Sequence, residues 1–187
     1  RERLELGERL APQVIKRLGD DVHNAVFSFV PNTAETAAEG LARAATKLVR
    51  QQHADQLWND VNSGTARREQ LDALVEPTIR VERLAHKDQR MRTFIASDAT
   101  RRDLVLHVYD VTRDLVPPGS TLVMLDDSIV RGTTLRESIV AILDRLEPAR
   151  ILFVSSAPQI RYPDCYGIDM SQLGRFIAFE AAVALLH

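Results

Sequence analysis

Three short apolar runs, each stopping at a polar turn that opens into a helical pattern, constrain this chain more than any other feature. Ala25-Val26-Phe27-Ser28-Phe29-Val30 ends at Pro31-Asn32, Thr121 to Leu125 ends at Asp126-Asp127, and Ile151 to Val154 ends in the turn 155–170. Continuous apolar strands need cover on both faces, and strands separated by helices are joined by crossovers; both are properties of a parallel sheet. Leu4, Leu6, Leu10, Val14, Ile15 and Leu18 recur at helical spacing up to Gly19, and an alanine-rich helical pattern runs from Ala34 to about Val49. Further helices are expected from Leu104 to Leu115, from about Leu135 to Leu146, and from Leu173 onward. Residues 78–84 alternate like a strand. The polar stretch 51–78, with Trp58 and a turn at Asn62-Ser63-Gly64, reads as a peripheral helical insertion. The expected architecture is α/β, a mostly parallel central sheet with helices on both faces, as one domain over residues 1–187.

Composition removes several classes of function. No apolar run approaches the roughly 20 residues of a membrane span. A net charge of −2 withholds the general attraction that a nucleic-acid binder exerts on phosphates. Cys165 is the single cysteine, so neither an internal disulfide nor a cysteine-based zinc site can form, which fits a reducing, cytoplasmic setting. As a catalytic thiol Cys165 lacks an identifiable base, and an inert core thiol is expected. His23, His53, His86, His107 and His187 share no spacing with carboxylates and are expected to pack or face solvent. The chain opens at Arg1, already in a helical pattern, and is expected to be a piece of a longer protein.

In sheets of this kind ligands bind beyond the carboxyl ends of the strands, which directs attention to the turns 31–35, 126–134 and 155–170. The most informative runs Asp126-Asp127-Ser128-Ile129-Val130-Arg131-Gly132-Thr133-Thr134. Thr134 and Glu137 have capping-box spacing, which predicts a helix start there and free backbone amides pointing at an anion. Gly132 permits close backbone approach, and the Ser128, Thr133 and Thr134 hydroxyls add donors, so the loop reads as a phosphate cradle. Carboxylates accept hydrogen bonds from sugar hydroxyls and hold Mg²⁺. Asp126 and Asp127 beside the cradle therefore describe a ribose 5-phosphate, with its diol on the acids and its phosphate on the loop. No Gly-Lys-[Ser/Thr] follows, so this is not a P-loop. Pro31-Asn32-Thr33-Ala34-Glu35 is a second strand-to-helix turn with Asn32 and Glu35 at capping-box spacing; it reads equally as an ordinary cap and as a pyrophosphate site. Residues 87–102 hold Lys87, Arg90, Arg92, Arg101 and Arg102 against Asp88 and Asp98, either an exposed basic loop or part of the site.

The acid-loop string resembles the phosphoribosyl pyrophosphate motif of type I phosphoribosyltransferases, and its wording is that of the glutamine phosphoribosylpyrophosphate amidotransferases. Pro158-Gln159-Ile160-Arg161-Tyr162-Pro163, Tyr166 to Met170, Arg92-Thr93-Phe94-Ile95 and Arg1 to Gly7 are similar to the same family. The resemblance covers nearly the whole chain outside 51–78. It implies the type I phosphoribosyltransferase fold and an enzyme that transfers ammonia to C1 of phosphoribosyl pyrophosphate. The products would be phosphoribosylamine and pyrophosphate, the first step of de novo purine synthesis. By the same resemblance Lys87, Asp126 and Asp127 are catalytic, and Asn32, Thr33, Ser128, Arg131, Gly132, Thr133 and Thr134 bind substrate. Thr33, Asp126 and Asp127 would surround Mg²⁺, and Phe94-Ile95 would line the path of ammonia. Lys87 is the nearest match to the lysine of the family's closing loop. Family enzymes take ammonia from glutamine in an N-terminal glutaminase domain with a cysteine nucleophile, which this chain is expected to lack; some carry an iron–sulfur cluster, for which one cysteine is too few. A homo-oligomer without nucleic-acid or membrane partners is expected. The competing readings are a nucleobase salvage phosphoribosyltransferase and a non-catalytic module that binds phosphoribosyl pyrophosphate or nucleotides.

Overall fold

The computed structural model describes residues 1–31, 33–75, 79–87, 109–111, 115–133, 135–165 and 170–186. Helix α1 (Glu2–Leu18) leads through a 3₁₀ turn into strand β1 (Ala25–Phe29), and α2 (Glu35–Ser63) follows. Next come α3 (Glu69–Val75), β2 (Arg80–Val81), β3 (Ala85–Lys87), β4 (Tyr109–Val111) and β5 (Thr121–Asp126). A π-helical turn (Leu135–Ile139) passes into α4 (Val140–Asp144), then β6 (Arg150–Ser155) and, after another 3₁₀ turn, α5 (Ile177–Leu186). No helix among the described residues is long and apolar enough to cross a membrane.

Four strands form a parallel sheet in the order β2-β1-β5-β6. Parallel pairing requires each chain segment to return across a face of the sheet, and the core divides accordingly. Successive strand residues point to opposite faces. Phe27 and Phe29 of β1 and Val123 and Leu125 of β5 meet Ala11, Ile15, Ala37 and Leu41 of the first two helices. Val26, Val30, Leu122 and Met124 meet Leu135, Ile139, Leu143 and Leu146 on the other face. Full burial of each large apolar side chain contributes about 1.5–3 kcal/mol. The expected doubly covered parallel sheet is what the chain builds.

Helices α1 and α2 cross with their backbones nearly touching. A Cβ on Gly7 would lie 1.8 Å from the Ala37 carbonyl oxygen, and one on Gly40 would lie 2.1 Å from that of Leu4. Further along, Pro12, Ile15 and Lys16 line one groove with Leu48 and Gln52. The two helices therefore run in the same direction.

Three boundaries differ from the sequence reading. Helix α2 does not stop near Val49; it continues to Ser63, where Gly64 adopts a left-handed conformation (φ 73°) and closes it. Val49 is the last buried residue of α2, and Trp58 beyond it is 68% exposed. The composition turns polar because packing ends, while the helix runs on through a stretch without Gly or Pro. The first part of 51–78 is thus continuous with α2 rather than a separate element, and α3 is joined to it through Asp60, which accepts from the Gln70 side chain and the Thr65 amide. The helix expected from Leu104 to Leu115 is contradicted at Tyr109–Val111, an aromatic and β-branched segment that pairs antiparallel with β3 (Ala85↔Val111, Lys87↔Tyr109); residues 104–108 lie outside the described residues. Residues 78–84 shrink to the two-residue β2, with residue 78 outside the description.

Candidate active site

The carboxyl ends of β1, β5 and β6 come together at one edge of the sheet. The register pairs Phe29 with Leu125 and Asp126 with Ser155. Past β1, the Val30 amide donates to the Leu125 carbonyl at 2.8 Å, which seats the turn after β1 beside Asp126. Past β6, the Ser156 and Ala157 amides donate to the carbonyls of Asp126 and Asp127, each at 2.9 Å, and the Ser156 hydroxyl adds a bond to the Asp127 carbonyl at 3.2 Å. From the far side, the Ile177 amide at the start of α5 donates to the Val130 carbonyl at 2.9 Å. Neighbouring strands and the last helix thus hold the acid loop.

Within the loop the two acids differ in environment. Asp126 is the last residue of β5 and is half-buried, and its Oδ1 accepts the Asp127 amide at 2.8 Å. Desolvation by burial pushes its carboxyl from 3.8 to about 6; the Asp127 amide opposes that shift, and the adjacent Asp127 charge adds to it. A carboxylate held in a place that disfavours its charge calls for a cation or a hydroxyl donor. Among the described residues no three His, Cys, Asp or Glu side chains form a metal cage. Two adjacent half-buried carboxylates fit Mg²⁺, which keeps water or phosphate in most of its shell.

Gly132 has φ 67°, the left-handed region a glycine enters without strain. A Cβ there would lie 2.6 Å from Cδ1 of Ile177, so the glycine also admits the final helix against the loop. The helix start read from Thr134 and Glu137 is not an ordinary α-helical one. Leu135–Ile139 is a π-helical turn, and the Arg136 amide donates to the Gly132 carbonyl at 2.9 Å. Thr134 lies outside the described residues, as does the Glu137 side chain.

Of the expected site residues, Asp126, Asp127, Ser128, Arg131, Gly132 and Thr133 share this loop, with Ser128 and Thr133 exposed and Arg131 half-buried. Thr33 is exposed in the turn after β1, where its carbonyl accepts from the Arg3 guanidinium at 3.3 Å; Asn32 is outside the described residues. The capping box expected from Asn32 and Glu35 is contradicted: α2 is capped at Ala34 without a side-chain bond, and Glu35 pairs with Arg83 instead. Lys87 ends β3 in the small second sheet, apart from the sheet that carries the acids. Cys165, expected as a core thiol, is instead exposed, in the turn that follows β6. Sequence reasoning missed Ser156 and Ile177, which shape the loop through contacts from other elements. A signal for Ser156 existed, since Ser155-Ser156 directly follows an apolar strand.

No family model matches the chain. Amidophosphoribosyltransferase of Haemophilus influenzae is 28% identical over 178 residues, covering 95% of this chain and 29% of that protein. Amidophosphoribosyltransferase of Saccharomyces cerevisiae is 30% identical over 183 residues, covering 95% and 28%. Among solved structures, glutamine phosphoribosylpyrophosphate amidotransferase from B. subtilis, complexed with ADP and GMP, superposes with a TM-score of 0.60 at 30% identity, covering 98% of this chain and 32% of that one. The parallel sheet, its two helical faces and the acid loop at the end of β5 have the fold of a type I phosphoribosyltransferase domain. Over almost its whole length the chain is a relative of the amidophosphoribosyltransferases, and it spans about 30% of the length of the relatives it matches.

Proposed function

We propose that this chain is the phosphoribosyltransferase part of an amidophosphoribosyltransferase, transferring ammonia to C1 of phosphoribosyl pyrophosphate to give 5-phosphoribosylamine and pyrophosphate. The observation that carries this reading is the half-buried Asp126–Asp127 pair at the end of β5, running straight into a loop with a left-handed Gly132. The names and coverage of the relatives support it.

In this reading Asp126 and Asp127 receive the ribose hydroxyls, and the amides and hydroxyls of 128–134 take the 5-phosphate. The pyrophosphate falls to Asn32 and Thr33, of which Thr33 stands in the turn after β1. C1 gains oxocarbenium character as pyrophosphate departs, so orientation and charge stabilisation do more than a strong base. Asp126, Asp127 and Thr33 would hold Mg²⁺, which when bound neutralises pyrophosphate charge; Lys87 would approach the same group from β3. The nitrogen would arrive at this site as ammonia, released from glutamine elsewhere in the intact enzyme. A cytoplasmic homo-oligomer fits the reading.

The test is Asp127→Asn, assayed for phosphoribosyl pyrophosphate turnover with ammonia and Mg²⁺. Replacing one acceptor oxygen and removing the carboxylate charge at the reacting sugar is expected to lower kcat/KM about 100-fold or more. Undiminished turnover by the variant would reject the assignment.

A further inference from the structure

Arg83 stands at the ligand edge of the sheet, and the pyrophosphate reading of the turn after β1 does not use it. Its backbone is fixed there by two bonds. The Glu82 amide extends the β2–β1 ladder by donating to the Phe27 carbonyl at 2.9 Å, and the Leu84 amide donates to the buried Ser28 hydroxyl at 3.2 Å. Residue 83 therefore lies beside the last residues of β1, and its guanidinium carbon sits 5.4 Å from the centre of the Phe29 ring. Phe29 is only 7% exposed, so the ring is a fixed platform. On the other side of β1 runs β5 with Asp126 at its end, two strand spacings or about 10 Å from Arg83's strand.

The guanidinium also pairs with Glu35, the first residue of α2, immediately after the turn 31–34. Both partners are about half exposed, 49% and 54%, so water screens the pair and it contributes little to stability. A forked cation held over an aromatic ring, with a weakly held carboxylate as its present partner, is suited to exchange that carboxylate for a phosphate, which it grips with two parallel N–H bonds. Arg3 also reaches the turn, through the Thr33 carbonyl, so two guanidinium groups contact the segment 33–35.

We infer that Arg83 is a binding residue for the pyrophosphate group, and that Phe29 and Glu35 position it. This deepens the proposed function and rests on it. No covalent step is assigned to Arg83; it takes up negative charge on the diphosphate oxygens, complementing the contacts to the ribose and 5-phosphate on the acid loop.

The experiment is titration calorimetry of the full chain and its Arg83→Gln variant, with magnesium pyrophosphate and, separately, ribose 5-phosphate. The variant is expected to bind magnesium pyrophosphate about 5- to 10-fold more weakly, as for loss of one charge-assisted contact. Its affinity for ribose 5-phosphate should stay within about twofold, because that ligand lies on the Asp126 loop. Unchanged pyrophosphate affinity overturns the assignment, and so does an equal loss for both ligands, which would make Arg83 a general structural support. If the unaltered chain binds neither ligand, the reading of the whole site fails and this assignment falls with it.

Discussion

Replacing Asp126 by asparagine should make the protein more stable at neutral pH while removing a group the proposed chemistry needs. Burial raises the Asp126 carboxyl from 3.8 to about 6, so above that pH the folded state carries a charge its surroundings disfavour. The sign follows from proton counts: between these values the folded chain binds more protons than the unfolded chain, and stability falls as pH rises through the window. At about 1.36 kcal/mol per pH unit the full difference is about 3 kcal/mol, an upper bound. Asp126 is only half-buried, and solvent screening reduces this to about 1.5 kcal/mol. Asparagine keeps the carbonyl oxygen that accepts the Asp127 amide, so the loop geometry survives the change. The assay is urea unfolding of both proteins, without divalent cations, at about pH 4 and about pH 7.5. Titrating groups other than the adjacent Asp127 cancel in the difference between the two proteins. Asp126→Asn should be the more stable by about 1.5 kcal/mol at the higher pH, about 3–6 °C in Tm, and nearly equal at the lower. A difference independent of pH, or a variant weaker at pH 7.5, would refute the reasoning.

Gly40→Ala would ordinarily gain up to about 1 kcal/mol of helix propensity. Here the new Cβ falls 2.1 Å from a backbone oxygen of α1, and overpacking of this kind costs about 3 kcal/mol, so Tm should drop by about 4–8 °C net in a thermal melt. Gly132→Ala places a side chain at φ 67° and should cost about 1–2 kcal/mol in the same melt. Its clash with Ile177 meets a flexible side-chain tip and adds less, so the larger effect is expected as a raised KM for phosphoribosyl pyrophosphate.

Much of this architecture was legible in the residues, for physical reasons that also explain the exceptions. The strands at 25–29, 121–126 and 150–155 announce themselves because a doubly covered parallel sheet needs continuous apolar runs, and their common direction places the acid loop at the ligand edge without further information. The extension of α2 beyond Val49 was illegible because apolar periodicity records packing, and a helix projecting past its neighbours loses the pattern while keeping its backbone bonds. Strand β4 depends on pairing with β3, a contact between residues far apart in sequence. The acids and Gly132 could be picked out because their chemistry is local. Arg83 and Ser156 could not be placed the same way, since only the fold sets Arg83 beside Phe29 of β1 and Ser156 against the acid loop.

The bond from the Ile177 amide to the Val130 carbonyl gives the site a history as well as a shape. A ribosome delivers residues in order, and the acids at 126 and 127 leave it some fifty residues before the segment that fastens their loop. Through that interval the nascent chain can already pair its first strands, yet the acid loop has no clasp. The loop therefore takes its folded form later in synthesis than the strand that carries it.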